Sequence, residues 1–175
     1  MNKLLIISLL FMNSSLILFD FSKDSSLRNW RIVDDVVMGG RSDGDFFINK
    51  DGHGIFKGRV SLENNGGFSS VRYRFRTKKI DAYSKVKIRL KGDGKKYQFR
   101  FKSSSYDYHS YVIEFKTSGE WETITLMLNE MKPQFRGRKL RMNNFPGKEI
   151  EEMAFLIGNK KAESFQLILD KIELE

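Results

Sequence analysis

The chain has 175 residues, 31 Lys or Arg against 22 Asp or Glu for a formal charge of +9, and 40% hydrophobic content that includes 15 Phe, 6 Tyr and 2 Trp. That length and apolar content fit one folded domain with its own core and exclude a disordered chain. The lack of cysteine excludes disulfides and thiolate metal sites, two histidines argue against a His-only zinc site, and the positive balance permits acidic partners such as nucleic acid, anionic lipid or an acidic protein face without naming one.

The N-terminus runs from Met1-Asn2-Lys3 through an apolar stretch, 4–12, to Asn13-Ser14-Ser15. This is the basic, apolar and small-polar order of a secretory signal. Residues 1–15 therefore read as a signal peptide and 16–175 as a single domain, which places the protein in the periplasm or outside the cell. A strand-forming extension is the competing reading and leaves it cytoplasmic. The apolar runs on either side of Asn13-Ser14-Ser15 fall short of the roughly 20 uninterrupted apolar residues that a spanning helix needs. No cysteine follows to carry a lipid anchor.

Strands are predicted over 16–21 and 30–33, then over 46–49 and 55–62 with Asp51-Gly52-His53-Gly54 as a hairpin turn. Asn64-Asn65-Gly66-Gly67 makes a tight reversal. In the strand 70–76 that follows, Val71, Tyr73 and Phe75 alternate with Arg72, Arg74 and Arg76, the period of two of a half-buried strand. Strands 85–91 and 95–102 read as a hairpin joined by Gly92-Asp93-Gly94. Strands 110–117 and 121–128 come next. The segment 129–152 carries both prolines and shows no period, so it reads as a long excursion with one helical turn near 148–152. Strands 153–157 and 164–174 close the chain. In the last, Phe165, Leu167 and Leu169 share one parity and Ile172 and Leu174 the other, which predicts a bulge near Asp170-Lys171. Ten or more short strands without a helical period indicate an all-β sandwich.

Five ordered motifs carry a resemblance. Asp34-Asp35-Val36-Val37-Met38-Gly39-Gly40-Arg41-Ser42, Phe56-Lys57-Gly58, Asn64-Asn65-Gly66-Gly67-Phe68-Ser69-Ser70-Val71-Arg72, Gly92-Asp93-Gly94 and Phe135-Arg136-Gly137-Arg138 are similar to the motif series of the complex I intermediate-associated protein 30 family. The similarity covers about residue 16 to the C-terminus. It implies a galactose-binding-domain-like jelly-roll β-sandwich, related in architecture to carbohydrate-binding modules, and a non-enzymatic assembly or binding factor. Mitochondrial members assist assembly of respiratory complex I, whereas this chain resembles a stand-alone bacterial relative to which that role need not extend.

Resemblance and glycine chemistry together place a binding site where two loops meet. Gly39-Gly40 and Gly66-Gly67 remove side chains where backbones must approach closely. The candidate residues are Asp34, Asp35, Met38, Gly39, Gly40 and Ser42 from one loop and Asn64, Asn65, Gly66, Gly67, Phe68 and Arg72 from the other, with Arg136 and Arg138 at the edge. The competing reading has Asp35 and Asn65 satisfying loop amides and Arg72 pairing with an Asp. Asp34, Asp35, Asp43 and Asp45 offer hard oxygen ligands for calcium, but their spacing matches no defined calcium loop, and capping of loop amides is the preferred reading, with no metal or cofactor assigned.

Charge concentrates between Arg72 and Lys102, where thirteen basic and two acidic residues leave a surplus of eleven. If the three strands there are sheet neighbours, Arg72, Arg74, Arg76, Lys85, Lys87, Arg89, Lys91, Lys96, Arg100 and Lys102 form one cationic wall for an acidic partner. Alternatively they are a solvated face neutralised by Glu114, Glu120 and Glu122. Nucleic acid fits less well than protein, because the aromatic residues hold the inward phase. Nothing sets one carboxylate apart as an acid beside a base, and His53 and His109 suggest no triad, so no catalysis is expected. The resemblance then implies a non-catalytic domain that binds another protein. A carbohydrate-binding module is the alternative. Its stacking platform would come from Trp30, Trp121, Tyr106, Tyr108 and Tyr111, with Tyr106 and Tyr108 the exposed pair.

Overall fold

Alternating apolar and polar side chains set up strands throughout the computed structural model, which describes residues 15–175 apart from the side chains of Val37 and Met38. Residues 1–14 of the expected signal lie outside the described residues. The strands are β1 (Leu16–Asp20), β2 (Trp30–Ile32), β3 (Asp43–Ile48), β4 (Gly54–Val60), β5 (Ser69–Lys79), β6 (Lys85–Lys91) and β7 (Lys96–Lys102). They continue with β8 (Ser110–Lys116), β9 (Trp121–Met127), β10 (Lys132–Phe135), β11 (Arg138–Lys139), β12 (Glu149–Ile157) and β13 (Glu163–Leu174).

Two antiparallel sheets result. The first has the order β3-β4-β13-β6-β9, with β1 also paired to β13, and the second runs β11-β10-β8-β7-β12-β5-β2. Their inner faces interdigitate. Phe56, Val86, Ile88, Leu90, Leu167, Leu169, Ile172 and Leu174 from the first sheet meet Val71, Tyr97, Phe99, Phe101, Met153, Phe155 and Ile157 from the second, all at most 1% exposed. Burying each such side chain contributes roughly 1.5–3 kcal/mol, so this layer is the main source of stability.

The bulge predicted in the last strand is present, because the register between β13 and β6 shifts between Leu169 and Lys171. Its effect is to bring Leu169 and Ile172 to the same buried side. The hairpin Asp51-Gly52-His53-Gly54 also forms, with Ile48 opposite Gly54 and Gly52 at φ 92°.

Two expectations are corrected. Residues 148–152 make no helical turn, since β12 begins at Glu149. The register between β12 and β5 shifts between Ile150 and Glu152, so Ile150 and Met153 are both fully buried, and their spacing of three imitates a helical period. Nor do β6 and β7 form a hairpin, because β6 pairs with β9 and β13 while β7 pairs with β8 and β12. Gly92-Asp93-Gly94 instead carries the chain from one sheet to the other, held by Asp93, whose carboxylate accepts Tyr97 Oη (3.1 Å), Lys95 Nζ (2.8 Å) and the Gln166 amide (2.9 Å).

Candidate functional site

Asp35 opens the short 3-10 turn Asp35–Met38 after β2, and it is completely buried. Its carboxylate accepts four hydrogen bonds, from the amide (2.9 Å) and hydroxyl of Ser42 and from the amides of Gly67 (2.6 Å) and Phe68 (3.2 Å). The loop 34–42 and the turn 64–68 therefore meet, joined by one carboxylate. A Cβ on Gly40 would overlap Asp35 Oδ1, and one on Gly66 would stand 2.6 Å from Oδ2, which is why both positions are glycine. Ser42 extends the junction by accepting the Ser61 amide at 3.0 Å, and Arg41 pairs with Glu63 across its surface at 2.8 Å. Burial alone would raise the pKa of Asp35. The Ser42 hydroxyl and the amides of Gly67, Ser42 and Phe68 outweigh burial and hold the carboxyl below its ordinary value.

The other predicted site residues either flank this junction or leave it. Asp34 accepts the Gly44 amide at 2.9 Å, and burial raises its pKa against the lowering effect of Ser69 and of that bond. Gly39 takes φ 88°, and Asn64 and Asn65 take φ 54° and 60° at an exposed tip, where Asn tolerates the left-handed region. Phe68 is half-buried. The side chain of Met38 lies outside the described residues. Arg136 and Arg138 belong to the β10–β11 hairpin, at the opposite edge of the second sheet from β2, and Arg136 covers the Phe135 ring at 5.3 Å. Arg72 is not at the junction, because it stands on β5 opposite Ala154 and Arg31.

That position makes Arg72 part of a different constellation, which pairing between distant strands assembles on the outer face of the second sheet. With β12 between β5 and β7, Ala154 is flanked by Arg72 and Arg100, and Glu152 by Arg74 and Lys102. Glu152, 3% exposed, accepts Arg74 Nε at 2.7 Å. Arg100 donates to the neutral Gln98 Oε1, and Lys102 to the Asp107 carbonyl. Among the described residues, none of Arg31, Arg72, Arg100 and Lys102 has a carboxylate within 4.0 Å. Burial lowers the pKa of Arg72, with Glu152 opposing and Arg74 and Arg31 adding to the fall, and burial with repulsion from Arg72 pushes Arg100 down to about 10. Both remain cationic at neutral pH. A cleft of about 380 Å³ opens beside Arg72, lined also by Arg28, Asn29, Trp30, Arg31 and Arg74.

The expected single wall thus divides between two faces. On the outer face of the first sheet the protein supplies its own counter-ions: Lys85 and Lys87 share Glu175 (3.3 and 2.7 Å), Arg89 reaches Asp170 (3.1 Å) and Lys91 reaches Glu120 (3.5 Å). Lys96 is paired with Glu114 at 3.1 Å. Sequence order hides this split, and it also hides Arg31, Glu152 and Ala154, which join the cluster only through strand pairing.

The aromatic candidates divide as well. Trp30 is core, stacked on Tyr73 at 4.8 Å, and Tyr111 is buried against Phe145. Trp121 is partly exposed and lies 4.8 Å from His53 and 5.4 Å from Arg89. Tyr106 and Tyr108 are 95% and 62% exposed on the loop after β7, with Tyr108 edge-on to Phe135 at 5.4 Å. The four aspartates do not converge, and among the described residues no three His, Cys, Asp or Glu are placed to hold a metal. No helix among them is long and apolar enough to cross a membrane.

Sheet order and burial define a jelly-roll β-sandwich of the architecture found in carbohydrate-binding modules. The family 11 carbohydrate-binding module of the cellulosomal cellulase Lic26A-Cel5E of Clostridium thermocellum is similar over 92% of this chain and 94% of its own, with TM-score 0.65 and 16% identity. The Clostridium thermocellum family 11 module in complex with a β-1,3-1,4-mixed-linked tetrasaccharide gives TM-score 0.63 and 17% identity over 91% and 94% of the two chains. An agarase, AgWH50C, matches 92% of this chain with 24% of its own, at TM-score 0.59 and 14% identity. No curated protein matches the chain in sequence. The family model described as Complex I intermediate-associated protein 30 matches residues 19–169, and the chain belongs to that family.

Proposed function

We propose that the protein is a non-catalytic binding domain that engages another protein, as an assembly factor does, through the outer face of the second sheet. The observation that carries this reading is the cluster Arg31, Arg72, Arg100 and Lys102, which lacks internal carboxylate partners, while Lys85, Lys87, Arg89 and Lys91 of the β6 strand on the opposite face have them. Such a cluster repels itself in the free protein and gains when a partner supplies negative charge. Family membership supports the same reading. A photo-crosslinking residue at Lys132, exposed on this face, should give one discrete protein adduct in the native host, and the same residue at Lys57 on the first sheet should not. Adducts that are absent or identical at both positions would overturn it.

The second reading is glycan binding, favoured by the exposed Tyr106 and Tyr108 beside Phe135 and by the oligosaccharide complex of the family 11 module. Here a β-glucan oligosaccharide would quench tyrosine fluorescence with little dependence on salt, and Tyr106→Ala with Tyr108→Ala would abolish the quench. No quench in the parent protein removes this alternative.

A further inference from the structure

Across the outer face of the second sheet, register aligns one row of side chains: Arg31, Arg72, Ala154, Arg100, Val112 and Lys132. Adjacent strands lie about 4.8 Å apart, so the row extends roughly 24 Å. Its cations therefore form a line and not a point. Ala154 sets the centre, since its short side chain is itself buried and the row presents there the longer side chains of the flanking Arg72 and Arg100. The carboxylates one pleat away are already engaged, Glu152 by Arg74 and Glu114 by Lys96 and Gln98. Arg100 has only the neutral Gln98 for company, and burial weakens its hydration further.

Resting on the protein-binding reading above, we infer that this row seats an acidic, extended segment of the partner protein, with Arg72 and Arg100 holding its carboxylates from either side of Ala154. The guanidinium fork matches carboxylate geometry and can bind it through two parallel N–H···O bonds. The row contains no aromatic side chain. Stacking of bases or sugar rings, on which single-stranded nucleic acid and glycan sites depend, has no platform there. Phe99 and Phe101 of β7 point into the core, and Tyr106 and Tyr108 stand beyond its end, on the loop after Lys102. An acidic peptide needs only the line of charges.

A fluorescein-labelled oligoglutamate tests the inference against oligogalacturonate and oligothymidylate of equal charge. Oligoglutamate should bind the parent most tightly and be released as salt rises. The double variant Arg72→Gln with Arg100→Gln should weaken it roughly tenfold or more, whereas Lys87→Gln with Arg89→Gln, which removes the same charge from the opposite face, should not. If the arginine pair proves necessary for folding, Ala154→Glu places a carboxylate of the chain itself between them and should block the probe. Equal weakening by both double variants, tighter binding of either other polyanion, or no oligoglutamate binding would overturn the inference. Persistence of the Lys132 photo-adduct in those cases would leave the protein-binding reading standing, and its absence would remove both.

Discussion

The carboxylate of Asp35 accepts the amide of Gly67 at 2.6 Å, closing a contact between residues 32 positions apart in the chain. With the Phe68 amide and both donors of Ser42 it forms the junction on which the two glycine-rich loops depend.

Replacing Asp35 with Asn puts an amide NH2 where the carboxylate faces donors on every side. At least one buried N–H or O–H then loses its acceptor, for an expected loss of about 2–4 kcal/mol in chemical denaturation. The pH dependence should change with it. The folded pKa of Asp35 is depressed below the ordinary 3.8, so its stabilisation is fully present above that value and is lost as pH falls through the folded pKa. The Asn variant should lack this acid-side loss. Asp34 has the opposite sign: its raised pKa makes its contribution favourable below 3.8 and progressively lost as pH rises through the folded value, so Asp34→Asn should be far milder at neutral pH. Parallel acid profiles for parent and Asp35→Asn would show that the carboxylate is not the joint.

Gly39 and Gly40 are adjacent but differ in why they are glycine. Gly39 takes φ 88° with open space around a would-be Cβ, so alanine there costs only backbone strain, about 1 kcal/mol. Gly40→Ala drives a methyl into Asp35 and should cost more, about 2–4 kcal/mol. Comparing melting temperatures of the two variants decides this, and the reverse order would contradict the assignment.

Glu152 is the one buried carboxylate within the basic row and its neighbours, so Glu152→Gln should destabilise the protein by about 1–3 kcal/mol, less at high salt, where screening relieves the repulsion among Arg72, Arg74, Arg100 and Lys102. The same change should strengthen binding of an anionic probe. Weaker binding in a folded Glu152→Gln protein would mean that Glu152 positions the arginines more than it neutralises them.

Strand existence was legible in the sequence because a period of two records which side of each strand is buried, as in Val71, Tyr73 and Phe75 or Val86, Ile88 and Leu90. Pairing was not, because the same alternation suits either sheet. Gly92-Asp93-Gly94 therefore reads as a hairpin although it crosses between sheets, and Arg72 and Arg89 read as one wall although they stand on opposite faces. The register shift between Ile150 and Glu152 concealed the start of β12, the strand that brings Glu152 and Ala154 between β5 and β7. The Asp35 junction was visible in part, since paired glycines beside an Asp signal a carboxylate bound to loop amides. Its burial, and the separation of Arg136 and Arg138 from it, depend on packing that local sequence does not encode.

In the proposed function the partner binds at the outer face of the second sheet, and positive charge elsewhere does not substitute for it. The most direct measurement is quantitative recovery of the photo-crosslinked partner from native cells expressing, at equal levels, the parent, the Arg72→Gln/Arg100→Gln variant or the Lys87→Gln/Arg89→Gln variant. Recovery should be near-parental with the Lys87/Arg89 variant and fall roughly tenfold or more with the Arg72/Arg100 variant. Equal recovery from the two variants, or a larger loss with the Lys87/Arg89 pair, would contradict the proposed function.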